Sequence, residues 1–299
     1  MIEGRPLVET RQVGPWRVHA IHAGALMLDG GAMFGVVPKV LWQRRIPPDE
    51  RNRIPMVMRC LLVEHDIGLV LIDSGAGNKE DAKFLGIYGI ENAAADGRTL
   101  LEEGIRAAGH SVEDVALVIN THLHFDHAGG NMCVDAGGAL RPAFPRARFV
   151  VQRGEYRFAT HTNERTAGSY FPRNYVPLHE QGLLDLVEGD REIVKGIRVI
   201  TSPGHVPHHQ SVLVGAGGQH LLFLADLVPT SAHLPLPWIM GYDVEPLVTL
   251  ESKRRILRQA VEEGWEVMFE HDASVAWGPI SWDGRVHSLA ASNRLNTAK

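Results

Sequence analysis

The sequence predicts a mixed α/β fold in which sheets and helices pack as a sandwich. Short β-rich segments alternate with amphipathic helical segments in both halves of the chain, which is typical of α/β architectures. Hydrophobic residues make up 44% of the chain and charged residues 22%, the composition of a globular protein. The 299 residues contain no Ser- or Gln-rich linker and no repeat, so we interpret residues 1–299 as a single domain.

The first half contains a predicted hairpin, a helix and a third strand. The elements are, in order, strands Val57–Glu64 and Gly68–Ile72, helix Leu100–Ala108 and strand Val115–Ile119. The first two are β-rich runs separated by three residues, which indicates a hairpin. The helix has apolar residues near the 3.6-residue period and is followed by glycine. Residues 25–55 are interrupted by Pro, Gly and Arg, and we expect a loop there.

The second half repeats this mixture. Its elements are strands Arg148–Gln152, Ile197–Thr201, Gln210–Val214 and Leu221–Ala225, helix Leu247–Glu263 and strand Glu266–Phe269. Residues 155–182 are polar and are predicted as helices and loops. Loops from residues 25–55, 155–182 and 229–242 are expected to build a substrate pocket. Their large apolar residues indicate an apolar substrate, and exposed apolar loops would allow a homodimer: Phe34, Trp42, Phe171, Leu236 and Trp238.

Charge and composition exclude several classes of protein. The net charge is −5 and no long Lys/Arg-rich tract occurs, which argues against a nucleic-acid partner. No apolar run reaches about 18 residues, so no membrane-spanning helix is expected. Two cysteines, Cys60 and Cys133, are predicted to be reduced thiols. Charged residues in the segment 1–14 argue against a signal peptide. We therefore expect a cytoplasmic protein with a small-molecule substrate and no membrane partner.

A dense group of candidate metal ligands directly follows the strand Val115–Ile119. Four of them fall within six residues: His122, His124, Asp126 and His127. An extended backbone would direct the two imidazoles of the His-x-His pair to the same side, because side chains alternate along a strand. A Gly-Gly pair follows and would allow the chain to turn into a helix. The chain also has sixteen histidines, many for its length, which favours a metal site.

Three distant candidates each follow an apolar run. They are His205, Asp226 and His271. Functional residues of α/β folds gather at the ends of strands, so these side chains can converge with the local group. The two carboxylates offset half of the charge of two divalent ions, and a bridging hydroxide would leave about one positive charge to attract a substrate oxygen. We expect two divalent ions. Zinc is favoured, and iron, manganese and cobalt remain alternatives because imidazole and carboxylate accept them all.

In these residues the chain resembles the metallo-β-lactamase-fold hydrolases, whose signature is H-x-H-x-D-H with later His, Asp and His ligands. Within that superfamily it is most similar to the N-acyl-homoserine lactone lactonase branch, over roughly residues 57 to 275. The resemblance implies a four-layer αββα sandwich with metals at one edge of the two sheets. It also implies the ligand sets: His122, His124 and His205 for one ion; Asp126, His127 and His271 for the other; Asp226 as the bridge; and Asp73 as a residue that steadies a ligand.

One position departs from the lactonase pattern. Lactonases of this branch carry a tyrosine three residues after the bridging aspartate, where its hydroxyl meets the carbonyl oxygen of the lactone. This chain has Pro229 there, and proline offers no donor. We consider His233 and Tyr242 as replacement donors.

The leading hypothesis is a dinuclear metal-dependent hydrolase. A metal-bridging hydroxide would attack the carbonyl of a lactone or carboxylic ester, and Asp126 would relay a proton to the leaving group. A phosphoester or organophosphate hydrolase of the same fold is the main alternative. A di-iron oxidoreductase is disfavoured, because the family's di-iron members carry glutamate at the position of His124 and append a flavin domain. A non-enzymatic scaffold is disfavoured because no ligand of the signature is missing.

Overall fold

The computed structural model describes residues 6–290, so the first five residues of the charged segment 1–14 lie outside the described range. The strands are β1 (Val8–Val13), β2 (Trp16–Asp29), β3 (Arg53–His65), β4 (Gly68–Ile72), β5 (Val115–Ile119), β6 (Met132–Val134), β7 (Leu140–Pro142), β8 (Arg148–Gln152), β9 (Leu184–Val187), β10 (Arg191–Val194), β11 (Ile197–Thr201), β12 (Gln210–Ala216), β13 (Gln219–Phe223), β14 (Glu266–Met268), β15 (Trp277–Trp282) and β16 (His287–Leu289). The helices are α1 (Gly30–Phe34), α2 (Lys39–Trp42), α3 (Ala82–Tyr88), α4 (Leu100–Ala107), α5 (Phe125–Ala128), α6 (Arg153–Thr160), α7 (Val176–Glu180) and α8 (Pro246–Glu262).

Across residues 6–290 the strands form two seven-stranded sheets and one two-stranded hairpin. The first sheet has the order β1-β2-β3-β4-β5-β8-β9, the second runs from β10 to β16 in chain order, and β6 pairs with β7. The predicted hairpin is confirmed: β3 and β4 are antiparallel and pair His65 with Gly68. The pairs β4–β5 and β13–β14 are parallel, so both members of each pair end at the same edge of their sheet.

The two sheets pack face to face, and helices cover their outer faces. The core between the sheets includes Val18, Leu61 and Ile72 from the first sheet and Val199, Val212 and Phe223 from the second. On the outer side of the first sheet, Ile105 of α4 and Leu178 of α7 pack against the strands. On the outer side of the second sheet, Ile256 and Leu257 of α8 do the same. This is the four-layer αββα sandwich that the resemblance implied, and the predicted fold class is confirmed.

The predicted loop at residues 25–55 is wrong at both ends. Strand β2 continues through Asp29 and β3 begins at Arg53, with α1 and α2 between them. Pro55 pairs with Met27 in a part of β3 that extends beyond the ladder with β4, which starts at Leu61. Proline has no N–H, but at this position β4 offers no partner for one, so no ladder hydrogen bond is lost. The strand therefore tolerates a residue that usually interrupts strands.

Strand β13 ends at Phe223 rather than at the predicted Ala225. Ala225 has a φ of 46°, a left-handed conformation that a strand cannot contain. Strands β1, β2, β6, β7, β9, β10, β15 and β16 were not predicted. Cys60 and Cys133 form no disulfide, as predicted. Every helix in the described range is too short or too polar to cross a membrane.

Candidate metal centre

The candidate centre lies where strands of both sheets end. In the first sheet, Asp73 directly follows β4, and His122 comes three residues after the end of β5. In the second sheet, Asp226 follows β13 and His271 follows β14. Because each strand ends in a loop at this edge, side chains that are far apart in sequence are brought together.

The His122–His127 run is extended first and helical afterwards. Leu123 is fully buried in the core beneath, so His122 and His124 point to the opposite side, as the alternation predicted. At His124 the chain enters α5, where the N–H of Ala128 donates to the carbonyl of His124 at 2.9 Å. The short helix then presents Asp126 and His127.

The Gly129-Gly130 pair is required by a close approach of two loops. A Cβ on Gly130 would lie 2.0 Å from the carbonyl oxygen of Ser74, and one on Gly129 would lie 2.4 Å from that of Ala76. Both contacts are far below van der Waals distance, so neither position can carry a side chain. Gly129 itself has a φ of −59°, which shows that the absent side chain matters here more than conformational freedom. The pair therefore lets the loop that carries the candidate ligands His122 to His127 pack against the loop that follows β4.

The structure brings all seven predicted side chains together in two adjacent groups. One group contains His122, His124, His205 and Asp226, and the other contains Asp126, His127 and His271, with ligand atoms within 4.8 Å of one another in each group. All seven residues are buried, and none is more than 9% exposed.

The carboxylate of Asp226 lies between the two groups. Its Oδ2 is 3.0 Å from Nε2 of His205, and its Oδ1 is 3.0 Å from Nε2 of His271. Oδ2 is also 3.5 Å from Nε2 of His127. The carboxylate of Asp226 therefore contacts imidazoles of both groups, with Oδ2 nearest to His205 and Oδ1 nearest to His271.

The donor set fits divalent metal ions. Nε2 of His205 lies 3.2 Å from Nδ1 of His124, and Nε2 of His271 lies 3.2 Å from Nε2 of His127. Ligand atoms around a tetrahedral zinc ion are separated by about 3.3 Å, given Zn–N bonds of about 2.0–2.1 Å. Nε2 of His122 is buried without a hydrogen-bond partner. Burial and neighbouring imidazoles hold the pKa values of His122 and His124 well below the ordinary value, so both rings are neutral and offer a lone pair.

Further carboxylates and a carbonyl orient the imidazoles from behind. Nδ1 of His127 is 3.0 Å from Asp73 and 3.1 Å from Glu270, and Nδ1 of His205 is 2.9 Å from Asp243. Nδ1 of His271 is 2.8 Å from the carbonyl oxygen of Val57. Such partners fix the ring orientation of metal-binding histidines. Sequence reasoning named Asp73 through the resemblance. It missed Asp243 and Glu270, although a carboxylate directly before His271 was a signal that could have been used.

Glu155 supports the ligand loop and was also missed. It is fully buried, and its Oε1 accepts hydrogen bonds from the N–H of Leu123 at 3.0 Å and from the hydroxyl of Tyr170 at 2.8 Å. The ring of Tyr170 lies edge-on against His124. One buried carboxyl group thus holds the backbone between two of the candidate ligands.

A cavity opens directly above the candidate ligands. The three predicted pocket segments all contribute to it, but none of the five predicted apolar residues does. Its apolar wall consists of Leu28, Met33, Met56, Phe125, Met240 and Val244. Phe34 instead stacks on Trp42, with ring centroids 5.2 Å apart, in the core around α1 and α2. Phe34 and Trp42 therefore lie behind the cavity wall. Its surface is formed by aliphatic and methionine side chains together with Phe125, Tyr88 and Tyr242.

Of the two replacement donors considered, only Tyr242 lines the cavity. His233 is buried, with Nδ1 2.7 Å from the hydroxyl of Thr230 and Nε2 2.8 Å from the carbonyl oxygen of Met33. Both of its ring nitrogens are therefore engaged, so His233 is not the replacement donor. Tyr88 lines the cavity as well.

Comparisons with known proteins agree with this geometry. The family pattern of the metallo-beta-lactamase superfamily matches residues 58–268. An N-acyl homoserine lactonase from a Bacillus species is 29% identical over 268 residues, which cover 86% of this chain and 93% of the relative. The crystal structure of a probable metal-dependent hydrolase from Staphylococcus aureus aligns with a TM-score of 0.83 at 29% identity, over 94% of this chain and 99% of that one. An N-acyl homoserine lactone hydrolase with N-hexanoyl-L-homoserine bound at its catalytic metal center aligns with a TM-score of 0.61 at 26% identity, over 88% of this chain and 95% of that one.

Proposed function

Because the chain belongs to the metallo-β-lactamase superfamily and is a metal-dependent hydrolase of the lactonase-like kind, we propose that it opens lactones that carry an apolar acyl chain. We further propose that it does so with two divalent ions, of which zinc is favoured. The observation that carries the proposal is the position of Asp226, whose two carboxylate oxygens each lie 3.0 Å from an imidazole of a different ligand group.

The seven residues divide naturally between two ions. One ion would be held by His122, His124 and His205, the other by Asp126, His127 and His271, with Asp226 shared. Bound there, the ions would supply a water of lowered pKa and a Lewis acid for the carbonyl oxygen of the substrate.

Asp126 is the group in this chain that can move a proton. Its carboxylate lines the cavity, and its Oδ2 lies 3.8 Å from Nε2 of both His127 and His271. The remaining oxygen can take up the proton released by the attacking water and pass it to the oxygen of the breaking C–O bond, so that the leaving group departs as an alcohol. Proton relay by a carboxylate at the reacting bond removes the need to expel an alkoxide.

We assign the hydroxyl of Tyr242 as the hydrogen-bond donor to the carbonyl oxygen of the substrate. It would replace the tyrosine that lactonases carry at the position of Pro229. Burial, together with nearby Tyr88, Asp29 and Asp126, raises the pKa of Tyr242 to about 12. The phenol therefore keeps its proton at neutral pH and can donate a hydrogen bond to the oxygen on which charge develops.

The apolar wall of the cavity is the reason that we propose a substrate with an apolar acyl chain. Each methylene group that leaves water contributes about 0.8 kcal/mol, which is roughly a fourfold change in affinity. We therefore expect KM to fall as the acyl chain lengthens, until the chain fills the space between Leu28, Met56 and Met240.

The test is proton release by zinc-loaded protein mixed with N-acyl-homoserine lactones of increasing chain length and with unsubstituted γ- and δ-lactones. We expect kcat/KM at or above roughly 10⁴ M⁻¹s⁻¹ for the acylated substrates, loss of activity after chelation and recovery on adding zinc. Metal content is measured on the same samples. Ring opening that stays absent with two ions bound, while phosphotriesters or aryl esters are cleaved, would overturn the lactone assignment.

A further inference from the structure

A second cluster of ligand-type side chains lies far from the candidate metal centre. It consists of His19, Glu64 and His110, which we call the His19 cluster. His19 is on β2, Glu64 is near the end of β3, and His110 is in the connection between α4 and β5. Nothing in the proposed hydrolase mechanism uses these residues.

The three side chains meet at one carboxylate oxygen. Nε2 of His19 and Nε2 of His110 each lie 3.0 Å from Oε1 of Glu64. The two separations of 3.0 Å are close to the edge of a tetrahedral zinc site, which is about 3.3 Å long, and the two imidazole nitrogens lie within 4.8 Å of each other.

Thr10 of β1 orients the buried histidine of the cluster. Its Oγ1 lies 2.8 Å from Nδ1 of His19. Without a metal, Nε2–H donates to Glu64 and Nδ1 accepts from the Thr10 hydroxyl. An ion that replaces the Nε2 proton would face the Nε2 lone pair, and Nδ1–H would then donate to the hydroxyl oxygen of Thr10. A partner on the second ring nitrogen is the usual arrangement for a metal-binding histidine.

The cluster is reachable from solvent. The side chains of Glu64 and His110 are 26% and 27% exposed, and they line a surface recess together with Glu113 and Asp114. Arg146 also lines this recess, and Arg17 approaches Oε1 of Glu64 at 3.7 Å with a side chain that is 57% exposed. Three carboxylates outnumber the two exposed guanidinium groups, so the net charge at the recess is negative and attracts a cation.

The protonation states also suit a cation. Burial lowers the pKa of His19 below its ordinary value and outweighs the carboxylate of Glu64, so the ring is neutral at pH 7. Burial raises the pKa of Glu64, but hydrogen bonds from His110 and His19 outweigh it and the net shift is downward, so the carboxylate is ionised. Metal ligands must be in these forms.

The His19 cluster and the candidate metal centre lie at opposite ends of the same strands. Glu64 pairs with Leu69 at the start of β4, whereas Asp73 follows the end of β4. His110 precedes β5 and His122 follows it. A five-residue strand spans about 16 Å at 3.3 Å per residue, so an ion in the His19 cluster cannot share a ligand with the catalytic ions.

We propose that His19, Glu64 and His110 bind a divalent transition-metal ion, with zinc as the ion to test. Three protein ligands leave the fourth position to water. The ion would connect β2 and β3 to the α4–β5 connection and so stabilise the end of the sandwich opposite the catalytic edge.

The experiment measures the number of zinc ions per chain after equilibrium dialysis against about 10 μM free zinc. We expect the dissociation constant of this partly exposed three-ligand site to lie at or below that concentration. The unmodified protein is compared with His110→Ala, Glu64→Gln and the control His161→Ala, which removes an exposed imidazole that bonds only within its own helix end. We expect the unmodified and control chains to carry one zinc more than the two cluster variants. Lactone hydrolysis should be equal in all four chains, which separates this result from the proposed function.

Equal zinc content in all four chains would overturn the proposal. A crystal of the unmodified protein soaked in zinc gives an independent result that does not depend on a variant folding. We expect an anomalous peak about 2.0–2.2 Å from Nε2 of His19, Nε2 of His110 and a carboxylate oxygen of Glu64. Absence of that peak, with peaks present at the catalytic edge, would also overturn it.

Discussion

Asp73 Oδ2 lies 3.0 Å from Nδ1 of His127, and the same carboxylate accepts hydrogen bonds from the N–H and the hydroxyl of Thr121 at 2.8 and 2.6 Å. Asp73 itself has a φ of 54°, a left-handed conformation that is uncommon outside glycine and that aspartate tolerates better than most residues. The hydrogen bonds of its carboxylate hold it there. One buried carboxylate thus joins the loop after β4 to the ligand loop after β5 and fixes the direction of the His127 ring.

Replacing Asp73 with Asn should weaken metal binding without removing a ligand. The charge that holds the His127 ring is lost, and outer partners of this kind are worth about 10- to 100-fold in metal affinity or activity. Metal retained after dialysis against a chelator and kcat/KM are measured together. Asp283→Asn is the matched control, since Asp283 is an exposed aspartate that accepts only local backbone N–H bonds. Metal retention equal to that of the control would contradict the assigned role.

Asp226→Asn should abolish double-metal loading and activity. The amide cannot place a negative charge between His205 and His271, whose pKa values are raised to about 10 and about 9 chiefly because Asp226 outweighs the effect of burial. Metal content by mass spectrometry and lactone turnover are read on the same preparation. Two ions per chain with full activity would refute the proposed bridge.

The sequence predicted the candidate ligands better than it predicted their surroundings. His122, His124, Asp126 and His127 lie in one local run, and the distant candidates each follow an apolar strand, so the sequence named all seven side chains that the structure brings together. Asp243 and Glu155 reach the centre only through tertiary contacts, for which no local pattern exists. The β2–β3 extension was missed for a similar reason, because Pro55 is tolerated only where a neighbouring strand is absent.

The two substitutions Glu155→Ala and Glu155→Gln should differ in stability. Alanine leaves the N–H of Leu123 and the hydroxyl of Tyr170 buried without an acceptor, at a cost of about 1–3 kcal/mol for each group. Glutamine keeps a carbonyl oxygen where Oε1 lies now. The free energy of unfolding in urea is compared for both variants and the unmodified chain. Equal destabilisation by the two substitutions would show that the carboxyl charge, rather than its acceptor oxygen, holds the ligand loop.

Tyr242→Phe should lower kcat by about 10²-fold, the lower end of the effect of removing one donor to a developing oxyanion. KM should change little, because the aromatic ring remains in the cavity wall. Tyr88→Phe is the matched control, since Tyr88 lines the same cavity and is assigned no bond to the substrate. The assignment fails when Tyr242→Phe retains the unmodified kcat or when both variants lose it equally.

His19 should make the fold sensitive to mild acid. Burial lowers its pKa from the ordinary value of 6.5, so below about pH 6.5 the unfolded chain binds a proton that the folded chain does not. Stability therefore falls as the pH decreases through this window. His19→Gln removes the titrating group, and the difference in unfolding free energy between pH 7.5 and 5.5 should be smaller than in the unmodified chain. Urea unfolding in metal-free buffer measures this difference, with His161→Gln as the exposed control. The same pH dependence in all three chains would exclude His19 as its source, since the unmodified chain and His19→Gln share every other titrating group.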